Sequence, residues 1–71
     1  MPIYSNISGA SNISAYNIGP DFIDVMFNSG QVYRYSYDSA GEDNVEEMKR
    51  LAESGSGLNS YILAYVKEDY E

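Results

Sequence analysis

The residues best equipped for chemistry in this 71-residue chain lie in the run Gly30-Gln31-Val32-Tyr33-Arg34-Tyr35-Ser36-Tyr37. Alternate side chains of a strand share a face, so the three tyrosines stand together and Arg34 points the opposite way. Two readings of these residues follow. In one, Tyr33 and Tyr35 form a stacking platform for a base or nucleotide ring, worth about 1–3 kcal/mol per stacked base, and Arg34 addresses a phosphate. In the other, the tyrosines share parity with Ile23 and Val25 and lie in the core, hydroxyls at the rim. Arg34 is then on the open sheet face.

Further candidates lie downstream. Asn59 follows the glycine-rich stretch Ser54-Gly55-Ser56-Gly57 and opens a helix. Its amide either presents to an anion beside backbone N–H groups or caps the helix it starts. Tyr61 is a third aromatic for stacking. Residues 54 to 57 are not a phosphate-binding P-loop, which requires a following lysine. Glu42, Asp43, Glu46 and Glu47 form an acidic cluster without calcium-loop spacing, read as a solvated helix face rather than a metal site.

The chain has no histidine and no cysteine. The usual general base, the usual metal ligands and disulfide staples are therefore absent. No catalytic constellation is present, and neither an enzyme, a cofactor nor a metal is expected. The formal net charge of −7, from 11 acidic and 4 basic residues, repels phosphate backbones and disfavours non-specific nucleic-acid binding. No apolar run approaches the roughly 18–20 residues that cross a bilayer. Met1-Pro2-Ile3-Tyr4-Ser5-Asn6 lacks the features of a secretory signal, so the expected address is the cytoplasm. The sequons Asn6-Ile7-Ser8 and Asn12-Ile13-Ser14 are then chance matches, as is the twice-occurring Ser-Asn-Ile-Ser at 5–8 and 11–14.

These residues must be positioned by a small set of elements, since a chain of this length buries only about 60% of its unfolded surface in one core. An irregular lead-in is expected over residues 1–10. A first strand over 11–18 turns at Gly19-Pro20-Asp21. The second is Phe22–Phe27 and the third Val32–Tyr37, joined by Asn28-Ser29-Gly30 as a three-residue hairpin loop with glycine left-handed. That loop pairs Val25 with Tyr33 and Ile23 with Tyr35 on one face, and Met26 with Val32 and Asp24 with Arg34 on the other.

A helix is expected over Asp38–Ser54, capped by Asp38 or Ser39. Val45, Met48, Leu51 and Ala52 recur as its inward stripe, and Glu46 pairs with Arg50 at i,i+4. The glycines at 55 and 57 stop it. A second helix runs from Leu58 or Asn59 to about Lys67, and 68–71 is a frayed acidic tail. The fold class is α+β: a three-stranded antiparallel meander followed by two helices packed on one face.

The order of these landmarks resembles the KTSC domain family, found at the C-terminus of some lysyl-tRNA synthetases and as stand-alone small proteins of bacteria and phages. The matching stretches are Ser11-Asn12-Ile13, Tyr16-Asn17, Val25-x-Phe27, Gly30-x-x-Tyr33-x-Tyr35, Leu51-Ala52 and Gly55-Ser56-Gly57-Leu58-Asn59-Ser60-Tyr61-Ile62. They span about residues 11 to 67. The chain departs from the family pattern at Asn17, where aspartate is frequent, and in its acidic surface. The resemblance implies a small domain associated, through the synthetase context, with RNA.

Two functions from different classes are expected on these grounds. One is a non-enzymatic, homo-oligomeric module that recognises a nucleotide or nucleic-acid-derived ligand through Tyr33, Arg34, Tyr35, Asn59 and Tyr61. Phe22, Met26 and Val32, on the sheet face away from the helices, would meet a second copy. The alternative is an acidic protein–protein module, such as a phage-type inhibitor that presents Glu42, Asp43, Glu46 and Glu47 to a host protein.

Overall fold

The hairpin that carries the tyrosine run is organised by its loop. In the computed structural model, which describes Ile3, Tyr4 and residues 12–71, Gly30 takes φ +94°, a left-handed conformation that side chains rarely adopt. Gly30 N donates to Phe27 O at 2.8 Å, and Phe27 N donates to Gln31 O at 2.9 Å. This closes β2 (Phe22–Phe27) onto β3 (Val32–Ser36) in the expected register: Ile23 faces Tyr35, Asp24 faces Arg34, Val25 faces Tyr33 and Met26 faces Val32. With β1 (Ile13–Ile18) on the other side of β2, the sheet has the antiparallel order β1-β2-β3.

The pairing of β1 with β2 carries a bulge between Ile13 and Ala15, which the strand pattern alone did not indicate. Next to it Tyr4 N donates to Ser14 O at 3.1 Å, and Ile3 bridges Ala15. Tyr4 is buried, and its hydroxyl accepts from Leu58 N at 3.3 Å. Part of the expected lead-in is therefore tied to the core. The remaining residues of that segment, Ser11 and the first Ser-Asn-Ile-Ser copy lie outside the described residues.

The helical half differs from expectation at its start. Ser36, at the end of β3, caps a short helix α1 (Tyr37–Ala40) in a reciprocal box with Ser39: Ser39 N donates to Ser36 Oγ at 3.1 Å, and Ser36 N donates to Ser39 Oγ at 3.0 Å. Neither Asp38 nor Ser39 is the cap, and the single helix from Asp38 is corrected to two. Gly41 at φ +93° separates α1 from α2 (Glu42–Ser54), because helical bonding cannot continue through that conformation.

Val45, Met48 and Ala52 of α2 are buried as expected, and Leu51 packs at the margin. The α2 ion pairs are Glu46–Lys49 at 2.7 Å and Glu47–Arg50, both i,i+3, in place of the expected Glu46–Arg50. Gly55 ends α2, and α3 (Leu58–Tyr61) continues as a π-helical stretch, Ile62–Val66.

The helices pack on one sheet face, so the architecture is α+β. Ile13, Ile23, Val25, Tyr35, Val45, Met48, Leu58, Ile62 and Val66 form the core. Residues 68–71, expected to fray, return to β3. Asp69 N donates to Val66 O at 2.9 Å and Glu71 N to Arg34 O at 2.8 Å.

Candidate aromatic binding site

At the loop end of the β2–β3 hairpin the inner sheet face is only partly buried. Phe27 and Tyr33 lie there with the same parity as buried Val25, and their rings meet edge to face with centroids 5.6 Å apart. Together with Asn12, Asn28, Ser29 and Gln31 they line an open cleft of about 350 Å³. Three contacts hold its shape. Tyr33 OH donates to Gln31 Oε1 at 2.7 Å. Asn28 N donates to Asn12 O at 2.7 Å, tying the hairpin loop to the start of β1. The Tyr70 ring lies against Tyr33, centroids 4.5 Å apart.

Among the described residues no charged side chain lines the cleft. Its polar side-chain groups are the amides of Asn12, Asn28 and Gln31 and the hydroxyls of Ser29 and Tyr33, each able both to donate and to accept. Two aromatic walls and a neutral, bifunctional rim suit a flat, uncharged ring with polar edges.

The expected ligand-binding residues do not converge here. Of the Tyr-Arg-Tyr run only Tyr33 reaches the cleft. Tyr35 is 1% exposed and offers no face for stacking. Burial, then neighbouring Tyr33, Tyr70 and Asp69, push its hydroxyl pKa up to about 12. The platform reading is therefore corrected for Tyr35, which is core.

Arg34 lies on the opposite sheet face. Its guanidinium grips Asp24 through two hydrogen bonds of 2.7 and 3.1 Å and sits 3.9 Å over the Phe22 ring. The Asp24 bonds raise its pKa further. It cannot reach a phosphate attached to a ring stacked on Tyr33, because strand alternation puts the two on opposite faces.

The remaining candidates hold separate positions. Asn59 is inside α3, whose cap position is Gly57 with no side-chain cap bond, so the capping expectation is corrected. Tyr61 OH donates to Asn44 Oδ1 at 2.7 Å, and its ring stacks with Tyr65 at 4.7 Å; it joins α3 to α2. On the outer sheet face Phe22 is half-buried beneath Arg34 instead of uncovered. Met26 is half-buried, and Val32 is 49% exposed.

Glu46 accepts from Tyr37 OH at 2.6 Å as well as pairing with Lys49, and Glu47 pairs with Arg50. These bonds lower both carboxyl pKa values. Glu42 and Asp43 are exposed in the first turn of α2. Among the described residues no group of three or more His, Cys, Asp or Glu is arranged to hold a metal, and no helix is long and apolar enough to cross a membrane.

Sequence reasoning passed over Asn12, Phe27, Asn28, Ser29, Gln31 and Tyr70 as site residues. Phe27 carried a usable signal: it shares parity with Val25 and Tyr33 and is the last strand residue before the loop. No protein-family model, no curated protein and no solved structure matches this chain.

Proposed function

We propose that this protein is a small non-enzymatic binding module whose hairpin-end cleft takes an uncharged planar heteroaromatic group, a nucleobase or nucleoside. The observation that carries this reading is the pairing of the Phe27 and Tyr33 rings with the neutral rim of Asn12, Asn28, Ser29 and Gln31. Amide side chains match the mixed donor and acceptor edges of a base, and stacking contributes about 1–3 kcal/mol. The resemblance to the KTSC domain, with its RNA context, points the same way.

The ligand class is narrower than a nucleotide. Arg34 is bound to Asp24 on the other face, and a net charge of −7 opposes phosphates. A base or nucleoside meets neither obstacle.

Titration of isotope-labelled protein with adenosine, guanosine, cytidine and uridine tests the reading. At least one should give saturable amide shifts confined to residues 12 and 27–33. Tyr33→Ala should weaken that binding about five- to 150-fold, the equivalent of the stacking energy. Tyr33→Leu, which keeps bulk in the half-buried position, should weaken it in the same direction, and Arg34→Ala should leave it unchanged. Absence of saturable binding by all four nucleosides at millimolar concentration rules the reading out.

A further inference from the structure

The hairpin bonds determine which main-chain groups of β3 face outward. Because Phe27 and Gln31 form a hydrogen-bonded pair, alternation makes Tyr33 and Tyr35 bond to β2 and turns the N–H and C=O groups of Val32, Arg34 and Ser36 to the open edge. The two edges of the sheet are treated differently. The β1 edge is bridged by Ile3 and Tyr4. At the β3 edge Ser36 N is taken by Ser39 Oγ, and Arg34 O accepts from Glu71 N at 2.8 Å.

The segment that makes this last bond also brings an aromatic ring. Tyr70 rests on Tyr33 at 4.5 Å and meets Tyr35 edge-on at 6.2 Å. One backbone N–H on Arg34 O and one ring on the Tyr33–Tyr35 pair are the two contacts an added strand makes with a sheet edge. Val32, 49% exposed, extends the same edge beyond the tail.

We propose that the open edge of β3 is a docking strand for an extended peptide segment bearing an aromatic side chain, and that Tyr70–Glu71 holds this position in cis. The partner is uncharged or basic, since a chain of net charge −7 repels an acidic one unless it is tethered. The segment Glu68–Glu71 is acidic and makes one backbone bond to β3, so it guards the edge against indiscriminate strand pairing and yields to a segment that also pairs with Val32. This inference does not depend on the cleft ligand.

The test uses the full chain and an acetylated, amidated peptide, Thr-Val-Tyr-Val-Lys. The peptide should bind the Tyr70→Ala protein about tenfold more tightly than the unaltered protein, because a short tether holds its segment at an effective millimolar concentration. Glu71→Pro, which removes the N–H donated to Arg34 O, should act in the same direction. Shifts should centre on the Val32 and Arg34 amides, and replacing the peptide tyrosine by threonine should weaken binding. No binding at millimolar peptide, equal affinity across the three proteins, or shifts centred on the α2–α3 surface would each overturn the proposal.

Discussion

Tyr33 and Tyr35 have the same side-chain type and strand face, yet different roles, and the difference is position along the sheet. Tyr35 sits opposite Ile23 and is buried in the core, while Tyr33 lies two residues nearer the loop and is only partly buried. Sequence parity places both on the inner face; how far the helices extend over that face is a tertiary matter that parity does not carry. The burial of Tyr35 has a measurable consequence. Its folded pKa of about 12 exceeds the ordinary value of 10, so the neutral form is favoured in the native state. The resulting stability is fully present below pH 10 and is lost as pH rises from 10 through about 12. Tyr37, raised to about 12 chiefly by its bond to Glu46, loses stability in the same window. Denaturant midpoints taken across that window should fall, and Tyr35→Phe should make the fall shallower while removing one late-titrating group from the tyrosinate absorbance. An unchanged slope in Tyr35→Phe would show that Tyr35 is not buried in solution.

Among the elements, the β2–β3 hairpin was the most legible, because loop length, glycine position and four cross-strand pairs all specify one register. The β1 bulge was not legible: it lies where Tyr4 and Ile3 join the sheet, a contact between segments with no periodic signature. The start of the helical half was misplaced because Ser36 reads as a strand residue and acts both as the last residue of β3 and as the cap of α1. The break falls inside the expected helix, at Gly41. Its added Cβ would meet nothing within 4 Å, yet its φ of +93° disfavours any L side chain. Gly41→Ala should therefore destabilise the protein by backbone strain alone, by about 1–3 kcal/mol, seen as a lower urea midpoint with unchanged slope. An unaltered midpoint would mean that α1 and α2 join without the left-handed residue. The chain end was also misread, since a charged terminal run looks frayed when the ring that anchors it, Tyr70, has no partner nearby in sequence.

On the scale of the whole molecule, charge rather than shape separates the ligands that could enter the cleft. The protein measures 30 × 20 × 19 Å. At about 0.01 M salt the screening length is about 30 Å, as long as the molecule, so all its charges act on an approaching ligand. At about 0.15 M that length is about 8 Å, and only nearby charges count. Among the described residues the cleft lining carries none, while the chain as a whole carries −7. An uncharged nucleoside should therefore bind with nearly the same affinity at both salt concentrations. The matching triphosphate should bind more weakly than the nucleoside at low salt, and the gap should narrow as salt is added. This slope is opposite in sign to that of a protein that grips phosphates, whose affinity falls with salt through counterion release. Calorimetric titration of adenosine and ATP, without divalent metal, at the two salt concentrations distinguishes the cases. Tighter binding of ATP at low salt would return Arg34 to the site and require a route from the cleft to the outer sheet face. The expected order instead assigns recognition to the ring and its polar edges, with the acidic surface acting as a filter against phosphate.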